Sequence, residues 1–356
     1  MPAPKSTDIF RALRTHLDVN TDVPIRIHSY RRFNTGLAHY VYEVMTDDGP
    51  FVVRMADPEH SNGIPGGVYW HPYLRGVGVP IPDLLGHDLT TSLETPFPYM
   101  ILERLRGTDL GHIYDTLTPS QKQTLATQIA DIQNRVATLP HAKSYGYLSS
   151  YEHGSILSTV RLPNGGGSAK SKDAVQSHPS WHSVLASGLD AATRLITSAQ
   201  IFDPAIVDRV RHAAAPYEPY FASIPPAPFL DDTTTKNVIL HEGTLTGIVD
   251  TDEVCFGDRI NALALTHMAL LSQKADLDYI AYWAEAWHLT AEQMRIMHLY
   301  TACHCVYFMG EMGQKFNKDA PEPVDPARVD YLHTVLDHLL QKFGTFPVKN
   351  GSANIS

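Results

Sequence analysis

Phe229-Leu230-Asp231-Asp232-Thr233-Thr234-Thr235-Lys236-Asn237 runs directly into VILHEGTLTGIVD, which ends at Asp250. Val238 to Leu240 reads as a strand. His241-Glu242-Gly243-Thr244 reads as a turn, with Gly available for positive φ, and Leu245 to Val249 as the returning strand. A hairpin of this length brings its two open ends together. Asn237 stands at one end, Asp250 at the other, and Asp232 lies on the loop that enters the first strand. Two carboxylates and an amide oxygen meeting at one point suit a hard cation such as Mg²⁺, which prefers oxygen ligands. The same residues would also fit an Asp- and Thr-rich surface turn followed by an ordinary hairpin.

The rest of the chain must hold that point in place. Up to about residue 105 it is rich in β-type segments: PIRIHSYRRF, YVYEVM, FVVRMA (51–56) and PYMILERL (98–105). Asp47-Asp48-Gly49 supplies a hairpin turn. HSNGIPGG is broken by Gly and Pro before VYWHPYLRGVG, a candidate short helix, and the prolines of VPIPDLLGHD keep that stretch extended. Beyond Gly107 the pattern turns helical. Thr118 before Pro119 fits an N-cap followed by proline at the first helical position. Leu125, Ile129, Ile132 and Val136 then repeat at helical spacing. Further helices are expected over WHSVLASGLDAATRLITSAQ, PAIVDRVRHAAAPYEPYF and four segments from Ile260 onward. The stretch around Asn164-Gly165-Gly166-Gly167-Ser168 reads as a loop. A β-rich part followed by a helix-rich part containing one isolated hairpin is an α+β pattern with segregated lobes. The expected division is 1–105, 106–347 and a loose tail over 348–356. Ligand sites commonly sit in clefts between such lobes.

Composition narrows the function. The chain has 356 residues and a formal net charge of −10, with 43% hydrophobic and 19% charged residues. It can bury a sizeable core, and it lacks the basic balance of a general nucleic-acid binder. The acidity would suit a cationic small substrate and equally serves solubility. Three cysteines, Cys255, Cys303 and Cys305, exclude a disulfide framework. Cys303-His304-Cys305 is a poor zinc site, because residues two apart on a helix point about 200° from each other. No leader-like or membrane-spanning run is apparent, so a cytoplasmic protein is expected. Neither G-x-S-x-G nor H-E-x-x-H occurs, which removes two common hydrolase signatures.

The Asp232-to-Asp250 segment resembles the aminoglycoside phosphotransferase family, small-molecule kinases whose core reads H-G-D-x-x-x-x-N, a short hairpin, then I-[IV]-D. Asp232 and Asn237 match the first part, Ile248-Val249-Asp250 the last, and Gly257-Asp258 a later G-D. The resemblance covers roughly residues 25 to 275. It implies a two-lobed, protein-kinase-like α+β fold with a small β-rich N-lobe and a larger helical C-lobe. It implies ATP (or GTP) and Mg²⁺ as cofactors and a small-molecule alcohol as substrate: aminoglycoside-like, another antibiotic, a sugar or an amino alcohol. Asp232 would orient and deprotonate the acceptor hydroxyl, with Asn237 and Asp250 holding the metal. Asn34 to His39, with Gly36, sits where the family places its nucleotide-covering turn. Arg54 stands where kinases carry a phosphate-binding Lys, and its side chain is expected in the inter-lobe cleft. Glu103 to Leu105 would offer backbone groups to the adenine. No nucleic-acid or membrane partner is implied, and a monomer or homodimer is expected.

Departures from the family pattern stand out at two places. Leu230 and Asp231 replace the His and Gly before the catalytic Asp. The helix after Arg54 shows Gly66, Gly67 and Val68 where an ion-pairing Glu is expected, with Glu59 the nearest acid upstream. Asp252 and Glu253 would either face a cationic substrate or be ordinary solvated carboxylates. Two other readings stay open on these residues. One is a catalytically silent nucleotide-binding module. The other is a metal-dependent hydrolase that adds histidines to Asp232 and Asp250.

Overall fold

A computed structural model describes residues 3–18, 24–33, 39–57, 63–92, 96–151, 177–316, 321 and 323–343. Gly36, Glu59, the 164–168 stretch and the 348–356 tail lie outside these residues. The first part of the chain contains α1 (Ser6–Leu17), β1 (Ile27–Arg32), β2 (Tyr40–Thr46), β3 (Gly49–Met55), α2 (Gly63–Gly76), β4 (Leu84–Asp88) and β5 (Tyr99–Glu103). The second contains β6 (Thr108–Asp109), α3 (Leu110–Ile113), α4 (Pro119–Val136), β7 (Gly146–Leu148), α5 (Trp181–Ala199), α6 (Ala205–Ala214), α7 (Glu218–Ser223) and β8 (Pro228–Phe229). It continues with β9 (Val238–His241), β10 (Thr244–Ile248), β11 (Val254–Phe256), α8 (Ile260–Gln273), α9 (Asp278–Ala286), α10 (Ala291–Glu311) and α11 (Pro326–Gln341).

The first five strands form one antiparallel sheet in the order β1-β2-β3-β5-β4. β2 and β3 join through the expected Asp47-Asp48 turn, with Thr46 paired to Gly49. Alternation along β3 decides which way Arg54 points. Val53 and Met55 face α1, packing with Ile9, Ala12 and Leu13. Arg54 therefore projects from the opposite face, toward α2 and the second lobe. α1 itself was not anticipated, although Ile9, Ala12 and Leu13 recur at helical spacing and are buried.

α2 begins earlier than its sequence suggests, at Gly63, so Gly66 and Gly67 lie inside the helix. Pro65 is tolerated there because the first turn of a helix needs no N–H from it. Trp70 and Leu74 anchor the helix in the larger core.

The chain changes lobe between β5 and β6. β6 already pairs with β9 and so belongs to the small sheet β10-β9-β6. A second small sheet has the order β7-β11-β8. Around these lie the helices, with α10 at the centre, packed against α5, α8 and α11. α10 buries residues on most of its circumference, including Ile296, Met297, Leu299 and Tyr300, as expected of a helix enclosed by others. Cys305 is buried there, and the imidazole Nε2 of His304 donates to Asn261 Oδ1 at 3.1 Å, so this triplet does not form a metal site. The capping box at Thr118 is formed as its sequence implied. Among the described residues, no helix is long and apolar enough to cross a membrane.

The packing of α1 gives a direct check. Leu13 is fully buried beneath the sheet that carries Arg54. Leu13→Ala should cost about 2–5 kcal/mol, the usual range for truncating a buried leucine. Chemical denaturation, read on the far-UV signal, measures it.

Candidate active site

The loop from β8 to β9 carries Asp232. Its backbone is held from behind by Gln133 of α4, which is fully buried. The Gln133 amide nitrogen donates to the Leu230 carbonyl at 2.6 Å and to Thr233 Oγ1 at 3.2 Å, while its oxygen accepts from the Leu230 N–H at 3.0 Å. This amide supports the loop at a position where the family pattern has a histidine. Sequence reading missed Gln133, because a lone glutamine among the apolar positions of a helix carries no motif. Asp232 Oδ1 accepts from Thr234 Oγ1 at 2.6 Å, and Lys236 Nζ lies 3.1 Å from Asp232 Oδ2. The Asn237 side-chain nitrogen donates to the Asp232 backbone carbonyl at 3.0 Å. That bond spends the amide nitrogen and leaves its oxygen as a donor atom for a cation.

Asp250 follows the hairpin, where Val249 N–H donates to the Asn237 carbonyl at 2.9 Å and closes the open ends. Asp250 adopts a left-handed backbone, φ 62°. Its Oδ1 accepts from Arg54 Nη2 at 2.7 Å. Arg54 also grips Asp252 bidentately, Nη1 to Oδ1 and Nη2 to Oδ2, both at 2.7 Å. The Arg54 side chain is only 8% exposed and that of Asp252 11%, so the pair is buried. Arg54 thus points into the inter-lobe cleft. Burial would raise the Asp250 carboxyl, yet Arg54, with smaller contributions from His39 and Lys236, more than offsets it and holds Asp250 below the ordinary carboxylate range.

Asp252 is therefore not a solvated carboxylate. It takes the place of the missing helix acid, and α2 makes room for it. A Cβ on Gly66 would lie 2.2 Å from the Asp252 carbonyl oxygen, and one on Gly67 would lie 2.8 Å from Asp252 Oδ1. No other residue type fits the helix at that approach. Glu253 is also enclosed. Burial, followed by the charges of Asp252 and Asp250, pushes its carboxyl up to about 7. His39 Nδ1 lies 3.0 Å from Arg54 Nη2. Burial and then the Arg54 charge push His39 down to about 3, so the ring is neutral.

Among the described residues, His39, Asp250 and Asp252 form one group with the geometry to hold a cation. The Arg54 guanidinium already occupies that position. Among the described residues, no group of candidate metal ligands brings a histidine together with both Asp232 and Asp250, as a hydrolase site would require. The donors that remain, Asp250 and the Asn237 oxygen, are hard oxygen ligands and suit Mg²⁺.

At the lobe junction, Glu103 N–H donates to the Asp83 carbonyl at 2.9 Å, and its carboxylate accepts from Asp83 N–H at 3.2 Å. Leu105 is buried, and its carbonyl accepts from the Arg104 guanidinium. An adenine here would meet only the backbone groups that these bonds leave open.

A cavity of about 520 Å³ opens beside Asp232, between α5, α8 and α10. Asp231 lines it. Tyr147 O–H donates to Asp231 Oδ2 at 2.8 Å, and Asn261 Nδ2 donates to Oδ1 at 2.7 Å. Burial pushes the Asp231 carboxyl up to about 6 in spite of those two donors. The adjacent acids thus differ: Asp231 is tied into the wall, whereas Asp232 lies at the cavity beside Lys236. Asp258 of the later G-D is structural, accepting from Tyr220 and Tyr300 hydroxyls at 2.8 and 3.0 Å.

The model of the phosphotransferase enzyme family matches residues 29–299. The chain belongs to that family. No curated protein matches it. Solved structures share its fold. A thermostable variant of aminoglycoside phosphotransferase APH(4)-Ia without ligands is 12% identical over 95% of this chain and 100% of its own, at a TM-score of 0.64. A putative fructosamine-3-kinase from Haemophilus somnus 129PT is 10% identical over 95% and 97%, at 0.59. An aminoglycoside 2'-phosphotransferase-IIIa in complex with GDP is 16% identical over 94% and 97%, at 0.57. By family and fold this phosphotransferase is a small-molecule kinase, and its architecture is the kinase-like α+β fold.

Two substitutions check the unusual supports. Gln133→Leu strands the Leu230 N–H and carbonyl in the core, which should cost about 1–3 kcal/mol in thermal or chemical unfolding. Asp252→Asn removes the charge that matches a buried guanidinium, and a loss on the order of 3 kcal/mol is expected in the same measurement.

Proposed function

We propose that this kinase transfers the γ-phosphoryl group of ATP or GTP to a hydroxyl of a small molecule held in the cavity beside Asp232. The observation that carries the reading is the tie between Asp232 and Asn237. The residue whose amide holds the Asp232 carbonyl also accepts, through its own carbonyl, from the Val249 N–H next to Asp250, while the Asp232 carboxylate lines the cavity. Acceptor and nucleotide sites then meet at one loop.

In this mechanism Asp232 orients the acceptor hydroxyl and takes its proton. The acceptor oxygen forms a bond to the γ-phosphorus as the bond from that phosphorus to the nucleoside diphosphate oxygen breaks. Lys236, 3.1 Å from Asp232, lies close enough to meet charge on the transferring group. Arg54, fixed by Asp252 and Asp250, presents its charge on the cleft face of the sheet toward the phosphates. Mg²⁺, held by Asn237 and Asp250, would neutralise charge on the nucleotide phosphates. Gly36 and its neighbours are assigned to cover the nucleotide, and Glu103 to Leu105 to border the base. Catalysis on this account is positioning plus electrostatics, with no covalent enzyme intermediate.

Asp232→Asn keeps the side chain's size and removes the base. Transfer to an accepted alcohol should fall about 10²–10⁴-fold, with nucleotide affinity nearly unchanged. Asp250→Asn should instead weaken the metal–nucleotide complex. Calorimetric nucleotide titration and a phosphotransfer assay over an alcohol panel read both. Nucleotide binding without transfer to any acceptor would mark a silent binding module instead.

A further inference from the structure

The cavity beside Asp232 carries three carboxylates, and two of them are matched. Asp231 is satisfied by Tyr147 and Asn261. Asp232 has Lys236 at 3.1 Å. The third, Glu311 at the end of α10, has no hydrogen bond or ion pair with the described residues, although it is half-buried in the cavity wall. Burial pushes its carboxyl up to about 7, against the pull of Lys236. Four residues earlier on α10 stands Tyr307, on the same face and also lining the cavity. It is 39% exposed. Burial and the neighbouring Glu311 charge raise its hydroxyl pKa. Leu185 and Leu189 of α5, Leu265 of α8 and Phe308 of α10 give the lining its apolar part.

A carboxylate without a partner beside an open aromatic face is the chemistry that captures an ammonium group, through ion pairing and cation–π attraction together. Glu311 is the one carboxylate of the three without a side-chain partner, and an ammonium group would supply one. The apolar wall calls for a hydrocarbon body, and about 520 Å³ is the size of a small-ligand site. Ammonium groups of a polycationic sugar that fell against the leucine and phenylalanine side chains would lose hydration without a partner.

We infer that the acceptor is an amphipathic amino alcohol: one cationic nitrogen seated between Glu311 and Tyr307, an apolar body against α5 and α8, and its hydroxyl at Asp232. This rests on the kinase reading and narrows it to a substrate class.

The test uses the full chain saturated with ADP and Mg²⁺, titrated calorimetrically with three probes. They are N-benzylaminoalkanols of graded spacer length, the matched neutral phenylalkanols, and hygromycin B. The benzylaminoalkanols should bind best at one spacer length, and that compound should be phosphorylated with ATP. Glu311→Gln should weaken its binding about tenfold or more, the scale of losing one partner of an enclosed charge pair, and leave the neutral alcohol unchanged. Tyr307→Leu should weaken it too, and Tyr307→Phe, which keeps the aromatic face, should restore it. The inference is overturned if neutral alcohols bind as well as the amines, if hygromycin B is preferred, if no probe binds, or if Glu311→Gln affects amine and neutral probes alike. All four outcomes leave the kinase reading standing while ADP still binds. Failure to bind ADP at all would count against that reading instead.

Discussion

A buried guanidinium must be matched by charge, and in this molecule that requirement joins the two lobes. Arg54 comes from the middle strand of the N-terminal sheet. Its partners, Asp250 and Asp252, come from the loop after the C-terminal hairpin. Breaking one partner of such a pair strands a charge in a poorly hydrated place, at about 3–5 kcal/mol. The lobes are therefore registered against each other by an interaction with little tolerance. The same contact fixes Asp250 in its left-handed conformation, one that L-residues other than Asn and Asp seldom adopt. Helix α2 follows from it as well, because only glycine at positions 66 and 67 lets the helix approach the Asp252 backbone and carboxylate.

The departures from the family pattern are then coordinated rather than degenerate. The helix loses its acid, and the acid reappears on the opposite lobe, two residues past Asp250. The Asp232 loop lacks the family's histidine, and a buried glutamine on α4 supplies a donor and an acceptor to the backbone there. In both cases the side chain changes while the backbone or charge it serves stays satisfied.

Much of this was legible in the sequence. The hairpin from Val238 to Ile248 and the positions of Asp232, Asn237 and Asp250 around it follow from strand and turn chemistry within one short segment. Arg54 could be aimed because FVVRMA stands where the family carries its phosphate-binding Lys. What stayed hidden was non-local. Asp252 and Arg54 lie 198 positions apart in the chain, and nothing near Asp252 distinguishes a buried ion-pair partner from a solvated acid. Gly66 and Gly67 read as helix breakers, because glycine is costly in a helix unless another group must come close. Gln133 sits 97 positions from Leu230. α1 was missed although its periodicity was present, because its residues are few and flanked by charge.

The central claim is that Arg54 and Asp252 act as one unit that shapes the nucleotide site. A double-mutant cycle with Arg54→Gln and Asp252→Asn, read calorimetrically on Mg²⁺–nucleotide affinity, tests it most directly. The account predicts strong coupling, with either single change costing about as much as both together. Losses that simply add, to within about 0.5 kcal/mol, would show two independent residues and contradict it.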